Sequence, residues 1–147
     1  MIKLEDIFAD FQIVDHQVLL SHFVYPKIKL ESEKDVNYEF DYKIISSEEL
    51  ENTHVGFLLF QVNINYVVNS EKNDLIDCVM RGKFVGNPNV FNLEEFTEML
   101  SLNGVATLSQ LMRSNIQNLC LLANLNIEIK VPMINVVELK RIKELEA

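Results

Sequence analysis

Cysteine and basic residues are scarce in this sequence. Its 147 residues include two cysteines, Cys78 and Cys120, whereas a secreted chain of this size more often carries a denser disulfide framework. Thirteen Lys and Arg residues stand against 22 Asp and Glu residues, which gives a net charge of −9. An acidic surface of this kind repels nucleic-acid phosphates. We therefore expect a cytoplasmic protein that does not bind nucleic acid and needs no disulfide for stability.

The sequence also lacks a long uninterrupted apolar run. The longest stretch without a charged residue, 52–70, carries Gln61, Asn63 and Asn65 at alternate positions, and hydrocarbon would not tolerate these side chains in a helix. The first ten residues are acidic, whereas a secretory signal has a basic start and an apolar stretch. We expect neither a membrane span nor an export signal.

The few glycines and histidines form no recognisable catalytic or metal-binding motif. Gly82 and Gly86 lack the strand-loop-helix spacing of a phosphate-binding loop, so glycine there is expected to allow twist or close helix packing. His16 and His22 are separated by roughly 20 Å of strand, and His54 has no ligand-like neighbour in sequence. The two cysteines fall on apolar positions and are interpreted as core residues with raised pKa values. No enzyme activity, metal or cofactor is expected; a ligand-binding or catalytic role of the histidines is the distant alternative.

Period-two alternation predicts the central strands of a sheet. Apolar and polar side chains alternate over residues 38–44, 58–68 and 76–84, a pattern typical of strands with one buried face. The connection 69–74 is short and polar, so the last two strands are expected to form an antiparallel hairpin.

The first strand and its connection follow a less regular pattern. Residues 11–25 are rich in strand formers, but their apolar positions change parity, which predicts a bulge near residues 15–17. Pro26 then stops strand pairing, and residues 27–37 are predicted to form a crossover loop. Residues 46–53 are predicted to form an acidic loop.

The second half of the chain has helical periodicity. Asn92 and Glu95 match a capping box that starts a short helix ending at Gly104. A long helix is predicted over residues 106–125, and a last helix over 136–146. Strands followed by helices predict one α+β domain over the whole chain, with a four-stranded antiparallel sheet covered by helices on one face.

The long predicted helix is apolar nearly all round in its later turns, which is unusual for a helix with one face in solvent. We interpret it as an oligomer interface formed by Leu108, Met112, Ile116, Leu119, Cys120 and Leu121. A second group of apolar side chains near the crossover is typical of an interaction site: Phe23, Tyr25, Ile28 and Leu30. Plain core packing is the alternative for most of these residues.

The order of these segments resembles the SecB preprotein-export chaperone family. The resemblance rests on Phe11-Gln12-Ile13 at the first strand, the Arg81–Gly86 segment that closes the last strand, the Leu102–Leu108 segment before the long helix, and the Pro-containing Val131–Val136 segment before the last helix. It extends over nearly the whole chain, and the fold that it implies is SecB-like.

The resemblance implies a cytoplasmic, ATP-independent holdase that binds unfolded or precursor polypeptides. It also implies a homotetramer, a dimer of dimers with the long helices packed between the dimers. The family binds its clients along grooves walled by the crossover loop and the last helix. In this sequence the corresponding positions, together with Phe23 and Tyr25, are Ile28, Leu30, Phe40, Tyr42, Val137 and Ile142.

One departure from the family bears on the partner. Members that deliver clients to the SecA motor use acidic residues on the first strand, and the aligned residues here are the apolar Leu20 and Val24. Docking to SecA is therefore not supported at these positions. The alternative function is a SecB-like interaction protein with a dedicated partner, such as an antitoxin.

Overall fold

The computed structural model describes residues 1–3 and 9–146, so the acidic residues Glu5 and Asp6 of the first ten lie outside it. Four long strands form one antiparallel sheet in the order β1-β4-β3-β2. The strands are β1 (Phe11–Phe23), β2 (Asn37–Leu50), β3 (Thr53–Val68) and β4 (Glu71–Gly86). Three helices follow the sheet in sequence: α1 (Leu93–Met99), α2 (Val105–Ala123) and α3 (Val136–Glu146). The predicted α+β class with four antiparallel strands is confirmed.

The helices cover one face of the sheet because buried and less buried side chains alternate along β3 and β4. Even-numbered residues are buried over 54–66 of β3 and 76–86 of β4, and they pair across the strands, as Phe60 does with Met80. Helix α2 lies over this face: Leu108, Met112 and Ile116 recur every fourth residue and are fully buried, as one helical stripe requires. The odd-numbered side chains form the opposite, open face of the sheet.

The sheet is longer than the alternation predicted. Strand β2 continues to Leu50, and a two-residue turn at Glu51 and Asn52 leads into β3, so the predicted loop over 46–53 is wrong. Both turn residues have positive φ, 50° and 60°, as the primed hairpin turns that match strand twist require. The β3–β4 hairpin is confirmed, and its turn is formed by two residues, Asn69 and Ser70.

Strand β1 contains two irregularities. Its register with β4 shifts between Ile13 and Asp15 and again between Val18 and Leu20. The predicted bulge is therefore present, but it lies just before residues 15–17, and a second one follows. Each extra residue rotates the later side chains to the other face.

Helices α1 and α2 are continuous. Asn92 and Glu95 form the predicted capping box, but a π-helical turn, Leu100–Gly104, leads directly into α2. The predicted helix end at Gly104 is therefore wrong. Helix α2 ends at Ala123 and is capped by Asn124, whose φ of 52° is left-handed. An irregular segment, residues 125–135, then leads to α3. The first turn of α3 is capped by the Asn135 side chain, which accepts a hydrogen bond from the Glu138 N–H at 3.1 Å.

Candidate functional site

Large apolar side chains are exposed in several parts of the chain, which is more than scattered surface residues require. They cluster on β1 and the crossover loop, at the end of α2, and on α3 with the segment before it. These residues are Val14, Val18, Leu19, Leu20, Val24, Tyr25, Ile28, Leu121, Leu122, Met133, Val137, Ile142 and Leu145.

The crossover loop, residues 24–36, is fixed at two points. The hydroxyl of Tyr66 on β3 accepts a hydrogen bond from the Lys27 N–H at 2.9 Å. The side-chain amide of Asn126 donates to the Leu30 carbonyl oxygen at 3.4 Å. Leu30 is 1% exposed and anchors the loop in the core, whereas Ile28 and Tyr25 remain exposed, Tyr25 to 62%. The loop is thus held in place while its first half presents apolar side chains to solvent.

The contact made by Asn126 joins the crossover loop to the end of α2. A pocket of about 480 Å³ lies here, lined by Gln117, Cys120, Leu121, Leu125, Asn126, Ile127, Glu128 and Ile129. Leu121, which lines this pocket, is 79% exposed, and its chain neighbour Leu122 is 86% exposed. We call the exposed loop residues Tyr25 and Ile28 the crossover area.

Helix α3 packs on the core through the half-buried Val136 and Leu139, and ion pairs join its surface to β2 and α1. None of its described side chains is buried. Lys143 pairs with Asp41 on β2 and lies over the Tyr42 ring, and Lys140 pairs with Glu98 of α1. Val137, Ile142 and Leu145 are left exposed. We call these three residues the α3 area.

A groove of about 640 Å³ separates α3 from β2 and α1. It is lined by Tyr42, Ile44, Leu93, Glu94, Thr97, Glu98, Ser101, Lys140 and Glu144. Asp41, which holds α3, lies five residues after the end of the crossover loop at Val36, and five residues of strand span about 17 Å. The attachment of α3 at Asp41 therefore lies about 17 Å along β2 from the end of the crossover loop.

The structure divides the predicted groove residues into two groups. Leu30 and Tyr42 are buried, and Phe40 is half-buried with its ring stacked 6.4 Å from that of Phe60. Phe40 and Tyr42 belong mainly to the core because the alternation of β2 places them on the helix-covered face, and Leu30 does so because the crossover loop holds it in the core. Ile28, Val137 and Ile142 are exposed with Tyr25, while Phe23 is half-buried and packs edge-to-face on Tyr25 at 5.9 Å.

The predicted oligomer interface divides in the same way. Leu108, Met112 and Ile116 are fully covered by the chain's own sheet, so they have no surface left for a second subunit. Leu119 and Cys120 are half-buried, and Leu121 is exposed. Only the last turn of α2 therefore retains the second apolar side that the sequence predicted.

Sequence reasoning missed Leu122, Met133 and Leu145 as exposed apolar residues. The helical spacing predicts Leu122 on the inner stripe of the long helix, but that stripe ends at Ile116, beyond which α2 buries no further residue. A signal was present in Asn124, a common residue at helix ends, which indicates that the helix stops soon after Leu122.

The thiols and one tyrosine are electrostatically poor nucleophiles. Burial raises the pKa of the Cys78 thiol, although a hydrogen bond from Ser21 opposes part of that effect. Burial also raises the pKa of Cys120. Burial raises the pKa of the Tyr38 hydroxyl, and the Glu33 carboxylate adds to it. Raised thiol pKa values disfavour the reactive thiolate, as expected for structural cysteines.

The three histidines do not meet in the structure. His16 and His22 are exposed on β1, whereas His54 is buried at the start of β3 and its Nε2–H donates to the Phe91 carbonyl oxygen at 2.7 Å. Among residues 1–3 and 9–146, no three His, Cys, Asp or Glu side chains are grouped so as to hold a metal ion. Within the same residues, no helix combines the length and apolarity that crossing a membrane requires.

The four-stranded sheet, the crossover loop and the helices on one face define a SecB-like fold. The solved structure of the Mycobacterium tuberculosis SecB-like chaperone Rv1957, in complex with a ChAD peptide from the Rv1956 HigA1 antitoxin, matches 88% of this chain and 94% of its own, with a TM-score of 0.56 and 13% identity. A Streptococcus agalactiae protein of unknown function matches 83% of this chain and 96% of its own, with a TM-score of 0.48 and 13% identity. No protein-family model and no curated protein matches the sequence.

Proposed function

We propose that this protein is an ATP-independent holdase that binds non-native or precursor polypeptides. One observation carries the proposal: in a SecB-like fold, the crossover area and the α3 area expose apolar side chains on a fixed loop and on a helix without a fully buried side chain. The residues that we assign to binding are Tyr25, Ile28, Val137 and Ile142, together with the half-buried Phe23, which packs on Tyr25, and the half-buried Phe40.

The chemistry of the surface suits unfolded chains. Burial of apolar surface stabilises a complex by about 25 cal/mol per Å² and has no directional requirement, so the same surface accepts many sequences. The pocket at the end of α2 and the groove beside α3 are separate recesses. Affinity then comes from several weak contacts along one extended segment, and ATP has no part in the binding.

The test is suppression of aggregation. A denatured model substrate such as citrate synthase or luciferase, diluted with near-stoichiometric amounts of the protein and without nucleotide, should aggregate more slowly. A Tyr25→Ser, Ile28→Ser variant should lose most of this effect. A matched Leu50→Ser, Val67→Ser variant removes two equally exposed apolar side chains at the ends of the hairpins and should retain it. Equal suppression by both variants, or no suppression of several unrelated substrates by the unaltered protein, would overturn the proposal.

A second candidate is a SecB-like protein with one dedicated partner. It is favoured by the bound antitoxin peptide in the structural neighbour and by the apolar Leu20 and Val24 at the positions where SecA-docking relatives carry acids. This function predicts tight binding to a single peptide and little effect on unrelated denatured substrates. The aggregation test therefore separates the two candidates.

We propose a homotetramer for the assembly, formed as a dimer of dimers in the cytoplasm. Exposed Leu121 and Leu122 at the end of α2, next to half-buried Leu119 and Cys120, are the surface that supports a subunit contact. We assign no enzymatic role because neither the thiols nor the separated histidines form a catalytic arrangement among the described residues.

A further inference from the structure

The open face of the sheet carries a feature that the binding of unfolded chains does not use. Phe57 on β3 is half-buried there, and two cations of β4 lie over its ring. The Arg81 guanidinium carbon is 5.7 Å and the Lys83 amine 5.9 Å from the ring centroid. Cations at this distance from an aromatic face are attracted by its quadrupole, so both side chains are held near the ring.

A third cation lies beside this pair. Lys43 of β2 is opposite Leu59 of β3, and Leu59 is opposite Arg81 of β4. Two strand spacings place the backbones of Lys43 and Arg81 about 10 Å apart. We call Lys43, Phe57, Leu59, Arg81 and Lys83 the cationic patch.

The cations of the patch form no ion pair within the described chain. The ion pairs formed by residues 1–3 and 9–146 involve Lys72, Lys130, Lys140, Arg141 and Lys143, and none involves a cation of the patch. Asp15 is the register partner of Lys83 across β1 and β4, yet it forms no ion pair with it. Arg81 donates to the Gln17 side-chain oxygen at 2.8 Å, a neutral acceptor that leaves its charge available.

The rest of the open face has the opposite character. One strand row further along, Asp41 and Gln61 lie side by side, and in the next row Glu39 and Asp77 flank Asn63. The open face therefore has three cations near an aromatic ring at one end and acidic residues in the adjoining rows. The whole chain has a net charge of −9. A small pocket of about 190 Å³, lined in part by Lys43, Leu59 and Val79, lies where the two parts meet.

We propose that the cationic patch docks an acidic segment of a partner protein, with carboxylates on Lys43, Arg81 and Lys83 and one apolar side chain over Leu59 and Phe57. Arg81 can form two parallel hydrogen bonds to a carboxylate. An extended nucleic acid is the weaker candidate because Glu39, Asp41 and Asp77 would repel a phosphate backbone that continues along the face. This surface is separate from the crossover and α3 areas, so the proposal does not depend on holdase activity.

The test uses a fluorescein-labelled hexapeptide in which Asp and Glu flank one central Leu; about 20 Å long when extended, it is short enough to bind the patch without following the acidic rows of the face. Binding is measured by fluorescence anisotropy against the full chain. We expect an Arg81→Gln, Lys83→Gln variant to bind about tenfold more weakly and added salt to weaken binding to the unaltered protein. The matched control, Lys29→Gln with Lys34→Gln, removes the same charge from the crossover loop and should bind as the unaltered protein does.

Two further probes separate the cationic patch from the apolar surfaces. The same peptide with Asn and Gln in place of its acids should not bind, and a Tyr25→Ser, Ile28→Ser variant should bind the acidic peptide normally. If the patch and control variants weaken peptide binding equally, net charge alone explains the effect, and the proposal is overturned. Preferential binding of single-stranded DNA over the acidic peptide, or no binding of the acidic peptide, would also overturn it.

Discussion

A Cβ atom added to Gly82 would lie 2.8 Å from Cδ2 of Leu108. Gly82 is on β4 and Leu108 on α2, so the missing side chain sets how closely the helix approaches the sheet. A Cβ would also lie 2.8 Å from the ring of Phe84. Both neighbours are fully buried and have little room to move, which is the close helix packing expected of a glycine at this position.

Gly82→Ala should therefore destabilise the protein by about 1–3 kcal/mol, the usual cost of overpacking. Urea unfolding followed by circular dichroism measures the change. In the Leu108→Ala background the same substitution should cost less, because the clashing methyl groups are gone, and a double-mutant cycle isolates this coupling. An unchanged unfolding midpoint in Gly82→Ala would show that α2 can shift away freely.

The strands could be predicted from the sequence because burial of one face imposes period two, as in the Tyr38 to Ile44 stretch. The turns could not. Residues 46–53 resemble a loop because they are rich in acids and because a bulge between Ile44 and Ser46 interrupts the alternation of β2. The turn itself is formed by two residues with positive φ, Glu51 and Asn52. Neither hairpin turn contains glycine, so the usual signal of such turns is missing.

The Asn69–Ser70 turn contains an avoidable strain. Ser70 has φ of 66°, a conformation that costs an L residue roughly 1 kcal/mol and glycine very little. Ser70→Gly should stabilise the protein by about 0.5–1 kcal/mol, measured as a higher urea midpoint. Ser46→Gly, within β2, should instead destabilise it. A loss of stability in Ser70→Gly would mean that the serine side chain makes a contact that outweighs the strain.

A residue of the candidate site could be predicted only where its sequence neighbours distinguish an exposed apolar side chain from a buried one. Ile28 could be predicted because an apolar residue among charges indicates a surface role, whereas Val137 is indicated only by the resemblance to the SecB family. Leu30 and Leu108 belong to the same patterns but are buried, since a stripe of apolar residues fits the chain's own core as well as a partner. Sequence alone does not separate the two, because the partner surface is decided by the packing of the crossover loop and α2.

The end of α2 is the surface that we expect a second copy to cover. Light scattering of the unaltered protein should give the mass of a tetramer. Leu121→Ser with Leu122→Ser removes two side chains that are 79% and 86% exposed and should shift the mass to a smaller species, because each buried leucine contributes about 1.5–3 kcal/mol. Leu50→Ser with Val67→Ser is the control and should leave the mass unchanged. A monomeric unaltered protein would contradict the assembly.

His54 should be held in one tautomer. Its Nε2–H donates to the Phe91 carbonyl oxygen, and its Nδ1 is buried without a hydrogen-bond partner among the described residues. Long-range ¹⁵N–¹H NMR should show the proton on Nε2. His54→Ala should cost about 2–4 kcal/mol, from the lost hydrogen bond and the cavity beside Phe96, whereas His16→Ala, at an exposed position, should change stability by at most about 0.5 kcal/mol. A proton on Nδ1 would contradict the assigned hydrogen bond.

Stability should fall at alkaline pH because burial raises the pKa of Cys78 and Cys120 above the ordinary thiol value of 9.0. As the pH rises past that value, the unfolded chain loses the thiol protons first, so the free energy of unfolding decreases until the pH passes the folded-state pKa. The slope is up to about 1.4 kcal/mol per pH unit for each thiol.

Urea unfolding at pH 7 to 10.5 measures this decline. Cys78→Val cannot titrate and should reduce the slope above pH 9 while leaving the pH dependence below pH 8 unchanged. Tyr38→Phe should reduce the decline near pH 10, because burial also raises the pKa of that hydroxyl above 10.0. The Tyr38 hydroxyl is buried without a described partner, so Tyr38→Phe should not destabilise the protein at pH 7. A Cys78→Val protein with the same alkaline slope as the unaltered chain would show that the buried thiol is not its cause.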